Sequence, residues 1–297
     1  MGLFAIDAPT RALVALSRSG ALFRSLDDGA RFTRTQVPYG DIYFFTAHRR
    51  SGRLYAYGMS GHELYRSDDG GDHWLPQIAV NDRVSRTMAV DLSNPDVLLL
   101  GGHWADGANI RKSTNGGASF TTVHTGSSAE QPNDLAFAPS EPSRVYASIG
   151  CRFLRSDDSG DHWTQVSVDG CVGDIRVHPR DPDTVYSARR PFRSVDAGAT
   201  WTPLRVEGWV PKLYEIFCPE ALEEDCREWA VISSPAEAGS SSSGLVVTRV
   251  GLAPWRPAAT GLPVYRGMAY GFHPTALVPT AADSATVAYW GGQIIVF

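Results

Sequence analysis

The segment Ser67-Asp-Asp-Gly-Gly-Asp-His-Trp74 returns almost letter for letter as Ser156-Asp-Asp-Ser-Gly-Asp-His-Trp163. Both fit the pattern Ser-x-Asp/Asn-x-Gly-x-x-Trp/Phe, and three further segments fit it as well: Ser25 to Phe32, Ser113 to Phe120 and Ser194 to Trp201. An eroded sixth copy, Thr248 to Trp255, keeps the hydroxyl and the tryptophan but loses the acid and the aligned glycine. The intact serines follow one another at 42, 46, 43 and 38 residues, a period typical of arrays of small β-sheets.

Each position of the motif suits a turn between two strands. A short strand-like segment precedes the serine, as in Glu63 to Arg66 and Arg152 to Arg155. Serine and aspartate side chains form hydrogen bonds within tight turns, and the glycine permits a positive φ. The aromatic residue begins the returning strand and can bury its ring between neighbouring sheets. We therefore predict a structural role for the motif acids.

The remainder of each repeat contains further strand-like segments. Asp134 to Pro139 is followed by Arg144 to Ala147, and Asp174 to Pro179 is followed by Thr184 to Ser187. These segments are short, rich in β-branched and aromatic residues, and bounded by Pro, Gly, Asn and Asp. Four antiparallel strands in about 42 residues correspond to one blade of a β-propeller.

The number of repeats predicts an all-β, seven-bladed β-propeller that forms a single domain over residues 1–297. The final unit contains three strand-like segments, and the chain ends where its motif would begin. Six blades is the alternative, if the final unit pairs differently with the N-terminal strands. The predicted first strands begin near Leu3, Asp41, Arg86, Asp134, Asp174, Lys212 and Gly267.

The motif resembles the Asp-box, or bacterial neuraminidase repeat (BNR), of a family of β-propellers, and its intact copies span most of the chain. That family includes sialidases, xyloglucanases, sortilin-like receptors, photosystem II assembly factors and some lectins, so the resemblance implies the fold but not one function. Consecutive boxes are more similar to the sortilin, xyloglucanase and assembly-factor branches. A sialidase is disfavoured, because the Arg-Ile-Pro tripeptide expected in its first blade is absent from this sequence.

Composition limits the classes of partner. The 297 residues include 27 Lys and Arg against 32 Asp and Glu, a net charge of -5, with no basic tract. We therefore expect no nucleic-acid binding, and no apolar run is long enough for membrane insertion. Residues 1–7 lack the basic region and the apolar stretch of a signal peptide, which leaves a cytoplasmic protein or a mature secreted form open. We expect a monomer.

The chain has four cysteines, Cys151, Cys171, Cys218 and Cys226. They allow three pairings, of which the local pairs 151–171 and 218–226 are favoured, and their redox state stays open. No spacing is CxxC, so a zinc site is not expected. His48, His178 and His273 recur near the ends of first strands but on separate blades, so we predict neither a metal nor another cofactor.

Propeller geometry predicts where a ligand would bind. The loops from second to third strands, and from fourth strands to the next first strand, open at one face, which we call the mouth. The motif turns lie on the opposite face. The candidate ligand-binding residues are the aromatic, basic and histidine side chains predicted at the mouth: His103, Trp104, Arg152, Arg190, Trp209, Tyr265, Arg266 and Trp290. Exposed aromatic rings beside arginine suit a glycan, a peptide or a small anionic ligand.

Three carboxylates are candidate catalytic residues: Asp106, Asp134 and Asp174. Glycoside hydrolysis needs two carboxyl groups about 5–10 Å apart, one of them with a raised pKa. An aspartate that recurs at one position of several blades can instead cap backbone N–H groups. We therefore expect a ligand- or partner-binding protein without covalent chemistry, with a glycoside hydrolase as the alternative and a platform for protein interactions as a third hypothesis.

Overall fold

The computed structural model describes residues 12–17, 20–27, 31–37, 42–48, 50–58, 62–80, 84–104, 107–166, 171–187 and 192–203, and the backbone of residues 3–5 and of the strands that follow residue 203. Within this part of the chain every regular element is a β-strand, which confirms the all-β class. The same residues contain no helix of a length and apolarity that could cross a membrane.

The first three sheets each contain four strands. The first sheet contains β1 (Leu3–Ala5), β2 (Leu13–Leu16), β3 (Leu22–Ser25) and β4 (Thr33–Arg34). The second contains β5 (Ile42–His48), β6 (Arg53–Gly58), β7 (Glu63–Ser67) and β8 (Leu75–Ala79). The third contains β9 (Val84–Val90), β10 (Leu98–Trp104), β11 (Gly107–Ser113) and β12 (Thr121–Thr125).

The next two sheets repeat this arrangement. The fourth contains β13 (Pro132–Phe137), β14 (Val145–Ile149), β15 (Arg152–Ser156) and β16 (Thr164–Val166). The fifth contains β17 (Ile175–Val177), β18 (Val185–Ser187), β19 (Phe192–Ser194) and β20 (Thr202–Pro203).

The last strands form a sixth sheet of four strands and a seventh of three. The sixth contains β21 (Leu213–Phe217), β22 (Trp229–Pro235), β23 (Ser242–Arg249) and β24 (Tyr265–Arg266). The seventh contains β25 (Leu277–Ala281), β26 (Ser284–Ala288) and β27 (Ile294–Val296). In every sheet the strands lie in chain order, and the neighbouring strands pair antiparallel, as the repeat predicts.

Consecutive sheets pack through their first strands and through an apolar layer. The first strands β5 and β9, β9 and β13, and β13 and β17 approach within 8 Å between Cα atoms. Each of the first four sheets shares a buried apolar cluster with the sheet that follows it. In four of the five intact motifs the closing aromatic residue packs against one of these clusters, as predicted: Trp74, Phe120, Trp163 and Trp201.

The five intact motifs form turns between third and fourth strands, which we call the motif turns. In each, the serine hydroxyl donates to the Asp or Asn side chain two residues later, at 2.7–2.9 Å. That side chain then accepts the amide N–H four residues further on, at 2.8–2.9 Å. Burial raises the pKa of Asp69, but hydrogen bonds from His73 and Ser67 outweigh it and lower the pKa to about 2. The carboxylate is thus held ionised by the turn.

Ion pairs and hydroxyl groups join consecutive sheets on the same side as the motif turns. A tyrosine in the second strand donates to the backbone of the next sheet at 2.7 Å, Tyr55 to Pro95 and Tyr146 to Pro182. Four cation–carboxylate pairs also cross between sheets: Arg24–Asp72, Lys112–Asp161, Arg53–Asp96 and Arg144–Asp183. The charged residues of this face therefore serve the fold.

We predict that two adjacent residues of one motif turn respond oppositely to substitution. Gly160 has φ +89°, and a Cβ there would lie 2.9 Å from both Cδ atoms of Leu99 in the neighbouring sheet. Gly160→Ala should therefore lower the free energy of unfolding by about 2 kcal/mol. Ser159 has φ 59°, so Ser159→Gly relieves strain and should leave stability equal or higher. Equilibrium denaturation measures both, and an equal loss in the two variants would contradict this account.

Candidate functional site

Backbone hydrogen bonds sort the loops onto two faces. In four sheets the motif turn donates an N–H to the loop between the first and second strands, as Gly70 does to Gly52 and Gly116 does to Asp96, both at 2.9 Å. At the opposite end of the sheets, Gly150 donates its N–H to the carbonyl of Gln131 at 2.8 Å. This bond joins a loop between second and third strands to a loop that enters a first strand. The predicted separation of the mouth from the motif turns is confirmed.

Around the third and fourth sheets, the mouth loops are held by side-chain contacts. His103 is half-buried, and its Nε2 forms a hydrogen bond with the carbonyl of Ser128 at 3.0 Å. The Arg152 guanidinium pairs with the Glu130 carboxylate, which also accepts the Ser127 hydroxyl at 3.0 Å. Both candidate ligand-binding residues, His103 and Arg152, thus lie at the mouth and already have protein partners.

A disulfide continues this connection to the fifth sheet. Cys151, beside Arg152 at the start of β15, is bonded to Cys171, which lies in the loop that enters β17. The predicted pair 151–171 is confirmed, whereas Cys218 and Cys226 lie outside the described residues. Because hydrogen bonds and the disulfide run without a break from His103 to Cys171, this part of the mouth is pre-arranged.

Trp104 is not the exposed platform that the sequence suggested. Only 2% of its surface is exposed, and it packs in the apolar cluster between the second and third sheets. Its indole N–H donates to the Val80 carbonyl at 3.4 Å, and the Arg111 guanidinium lies 4.1 Å from the centre of its ring. The expectation of a free ring was wrong because burial depends on the neighbouring sheet, which the local sequence does not reveal.

Several other candidates have no described side chain. Tyr265 and Arg266 form β24, where the structure describes the backbone. Four further candidates lie outside the described residues: Asp106, Arg190, Trp209 and Trp290. Their roles stay predictions.

Asp134 links three first strands at the mouth end of the sheets. One carboxylate oxygen accepts its neighbour Leu135 N–H at 2.9 Å and the Thr87 hydroxyl of β9 at 3.4 Å. The other accepts the Ile175 N–H of β17 at 2.6 Å and lies 3.6 Å from the Arg176 guanidinium. Four donors surround this carboxylate, which is the arrangement of a structural clamp.

The electrostatic environment of Asp134 pulls its pKa in two directions. Burial raises the pKa of Asp134, and the nearby charge of Asp174 adds to that effect, while Arg176 and the Ile175 N–H oppose it. Asp174 is exposed and has a φ of 53°, so a non-glycine residue occupies left-handed backbone at the mouth. The structure therefore brings two of the three predicted carboxylates into one electrostatic neighbourhood.

A repeated irregularity of the first strands was not anticipated from the sequence. In three consecutive sheets the register between first and second strands shifts at the mouth end, which leaves one bulged residue in each first strand. The bulged residues are Tyr43, Arg86 and Asn133. A β-bulge interrupts the alternation of side chains between the two faces of a strand. A prediction that assumes strict alternation along the sequence therefore does not detect the bulge.

No protein-family model and no curated protein sequence matches the chain. Among solved structures, the chain is similar to an ancestral GH74 enzyme, with TM-score 0.62, 16% identity, and 83% of this chain and 34% of that chain covered. It is similar to the GH74 xyloglucanase of Xanthomonas campestris, with TM-score 0.61, 16% identity, and 99% and 54% covered. It is also similar to YCF48 bound to D1 peptide, with TM-score 0.52, 19% identity, and 74% and 70% covered.

The fold is that of a β-propeller. At such low identity the likeness concerns the fold alone, and the chain spans about a third to half the length of the GH74 enzymes. Each described sheet corresponds to a blade, and the mouth is the face on which loops meet around the first strands.

On the opposite face, His48 and one cluster of acids with a histidine have structural partners. His48 is buried, and its ring nitrogens bond to Ser51 Oγ at 2.7 Å and to the Leu92 carbonyl at 3.0 Å. Asp69, Asp72 and His73 bring ligand atoms within 4.8 Å of one another. The Asp69 oxygens are occupied by the bonds of the motif turn, so this cluster is part of the turn.

We predict that replacing Asp134 lowers the stability of the protein, whereas replacing Asp174 does not. Asp134→Asn places an amide N–H against the donors that surround the carboxylate and should cost about 1–3 kcal/mol of unfolding free energy. Asp174→Asn should change it by less than about 0.5 kcal/mol, because asparagine adopts left-handed backbone readily. Denaturant titrations of both variants measure the difference, and a destabilising Asp174→Asn beside a neutral Asp134→Asn would reverse the assignment.

We predict that the disulfide contributes to the stability of the propeller. The double variant Cys151→Ser, Cys171→Ser opens a loop with a sequence separation of 20 residues, which corresponds to a loss of about 3 kcal/mol. The measurement is the urea midpoint of both proteins, each with and without reductant. A double variant as stable as the parent would show that the hydrogen bonds alone hold these loops.

Proposed function

We propose that the chain is a seven-bladed Asp-box β-propeller that holds a ligand or a partner segment at its mouth without covalent chemistry. The supporting observation is the division of roles between the two faces. Motif turns, cross-blade ion pairs and tyrosine hydroxyls occupy one face, whereas the other carries linked loops that display polar side chains. A pre-arranged polar rim lowers the entropy lost on binding.

The blade count and the single domain over residues 1–297 belong to this proposal. Six described sheets of four strands and one of three follow one another in chain order. The three strands of the last sheet pair with one another, and β1 pairs with β2 in the first sheet, which supports seven rather than six blades.

The proposed ligand is a glycan, a peptide or a small anionic molecule, bound by a monomer. One solved neighbour is YCF48 bound to D1 peptide, and another is a xyloglucanase, so related folds serve both kinds of ligand. The net charge of -5 gives no support to a nucleic-acid partner.

A glycoside hydrolase is the second candidate, and one observation favours it. Asp134 has a raised pKa, and Asp174 lies close enough to influence it, which is the pairing of unlike carboxyl groups that glycoside hydrolysis requires. A catalytic role for Asp134 is opposed by its hydrogen bonds, because each of its carboxylate oxygens already accepts at least one backbone N–H. A group that holds three strands together in its ionised form is poorly placed to transfer a proton.

We expect a glycan array and a peptide array probed with the full chain to yield a ligand. Its affinity should fall at least about tenfold in Arg152→Gln, because the loss of charge-assisted hydrogen bonds costs about 1.5–3 kcal/mol. Leu26→Ser, on the turn face where Leu26 is 61% exposed, is the matched control and should bind normally. If Arg152→Gln and Asp174→Asn leave the affinity for every ligand unchanged, the ligand does not bind at the mouth.

A panel of chromogenic glycosides and xyloglucan tests the second candidate. Under the binding proposal no substrate is turned over. Turnover that disappears in Asp174→Asn, while its unfolding midpoint stays at the parent value, would establish the hydrolase instead.

A further inference from the structure

We propose that Tyr43, Arg86, Asn133 and Asp174 form a binding site for an acidic oligosaccharide, a short chain of hexuronate rings. This inference rests on the proposed ligand-binding role of the mouth and specifies its ligand. Three of the residues are the bulged positions of consecutive first strands, and the fourth precedes the next first strand. The four residues lie at the mouth ends of consecutive first strands, and these strands are neighbours: β5 contacts β9, β9 contacts β13, and β13 contacts β17.

Tyr43 provides a braced aromatic surface. Its side chain is 47% exposed, although its neighbours in the strand are largely buried. Its ring meets Phe44 edge-on at 5.8 Å, Phe44 stacks on Tyr57 at 5.0 Å, and the Tyr57 hydroxyl forms a hydrogen bond with His62 Nδ1 at 2.9 Å. A ring held by such a series loses little freedom on binding, and sugar C–H faces pack well on aromatic rings.

Arg86 supplies the charge that selects an acidic sugar. It is exposed, and it makes no ion pair with any residue in the described part of the chain. A guanidinium binds a carboxylate through two parallel hydrogen bonds, which a neutral sugar cannot reproduce. An exposed arginine with no ion-pair partner among the described residues, on the blade next to Tyr43, therefore favours a ring that carries a carboxylate.

Asn133 and Asp174 supply planar polar groups for hydroxyls. Asn133 donates one amide N–H to the Gly150 carbonyl at 3.0 Å, which fixes its orientation, and no described residue bonds to its carbonyl oxygen or second N–H. Asp174 is exposed on strained backbone beside the disulfide-linked loop. Strain of this kind persists where the surrounding structure holds it, and it is frequent in ligand sites.

The distribution of apolar surface favours a sugar over a peptide. A peptide ligand anchors through several apolar side chains in pockets. The other exposed large apolar residues in the described ranges are Leu26, Leu75 and Val195, which lie in or directly after motif turns on the opposite face. Among the described mouth residues, one exposed large aromatic ring stands with planar polar groups, which is a composition that suits a saccharide, and four consecutive blades span more than one sugar ring.

The test is a calorimetric titration of the full chain with trigalacturonate, and with maltotriose as the neutral trisaccharide. Trigalacturonate should bind at least about tenfold more tightly than maltotriose at low salt and lose affinity as salt is raised. Tyr43→Ala should weaken binding about tenfold, whereas Tyr43→Phe keeps the ring and the affinity. Arg86→Gln should abolish the preference for the acidic trisaccharide.

Arg34→Gln is the matched control, because Arg34 is exposed on β4, the outer strand of the first blade. It removes the same charge and should leave binding unchanged. Thermal unfolding of each variant confirms that the fold is retained.

Failure of this inference can be told apart from failure of the proposed function. Absence of trigalacturonate binding, equal binding of maltotriose, or an unaffected Arg86→Gln variant overturns the acidic-sugar site. If another glycan or peptide then binds and is weakened by Arg152→Gln, the mouth remains the binding face. If every ligand found is indifferent to all mouth variants, the proposed function falls as well.

Discussion

The hydrogen bond from the motif serine to the aspartate or asparagine two residues later organises every intact motif turn. It orients the acid to accept the amide N–H four residues further on, and the serine Oγ accepts the glycine N–H in turns such as those of Gly71 and Gly160. Side chains of the turn thereby accept hydrogen bonds from its backbone N–H groups. In four of the five intact motifs, the aromatic ring that follows packs in the layer between two sheets. Repetition of this unit gives each sheet the same relation to its neighbour.

Many polar side chains on the face of the motif turns form hydrogen bonds and ion pairs within the protein. The mouth is therefore the face whose side chains can contact a ligand. The turn face carries cation–carboxylate pairs and tyrosine hydroxyls that bridge blades at repeated positions. At the mouth the contacts differ from blade to blade: a disulfide in one place, an arginine–glutamate pair in another, bulges in three first strands. The repeated contacts stabilise the packing of one blade on the next. The contacts that are not repeated give one part of the mouth a set of side chains that the other described parts lack.

Asp134 illustrates how structural and chemical roles compete at one residue. Its position at the inner edge and its raised pKa suit an acid catalyst, but its donors come from three adjacent first strands. The clamp holds the strands in register where Tyr43, Arg86 and Asn133 leave the regular alternation. A carboxylate that fixes the scaffold next to a binding surface explains both its burial and its nearness to Asp174.

Most strands, their order in each sheet, the motif turns and the separation of the two faces could be predicted from the amino-acid sequence, which also favoured the pair Cys151–Cys171 without excluding other pairings. These follow from local chemistry repeated at a fixed period, so neighbouring residues carry the information. The burial of Trp104, the donors around Asp134 and the bulges at Tyr43 and Arg86 were decided by the tertiary structure. They depend on which side chains an adjacent sheet brings within reach, and residues that are distant along the chain leave no local trace of that contact.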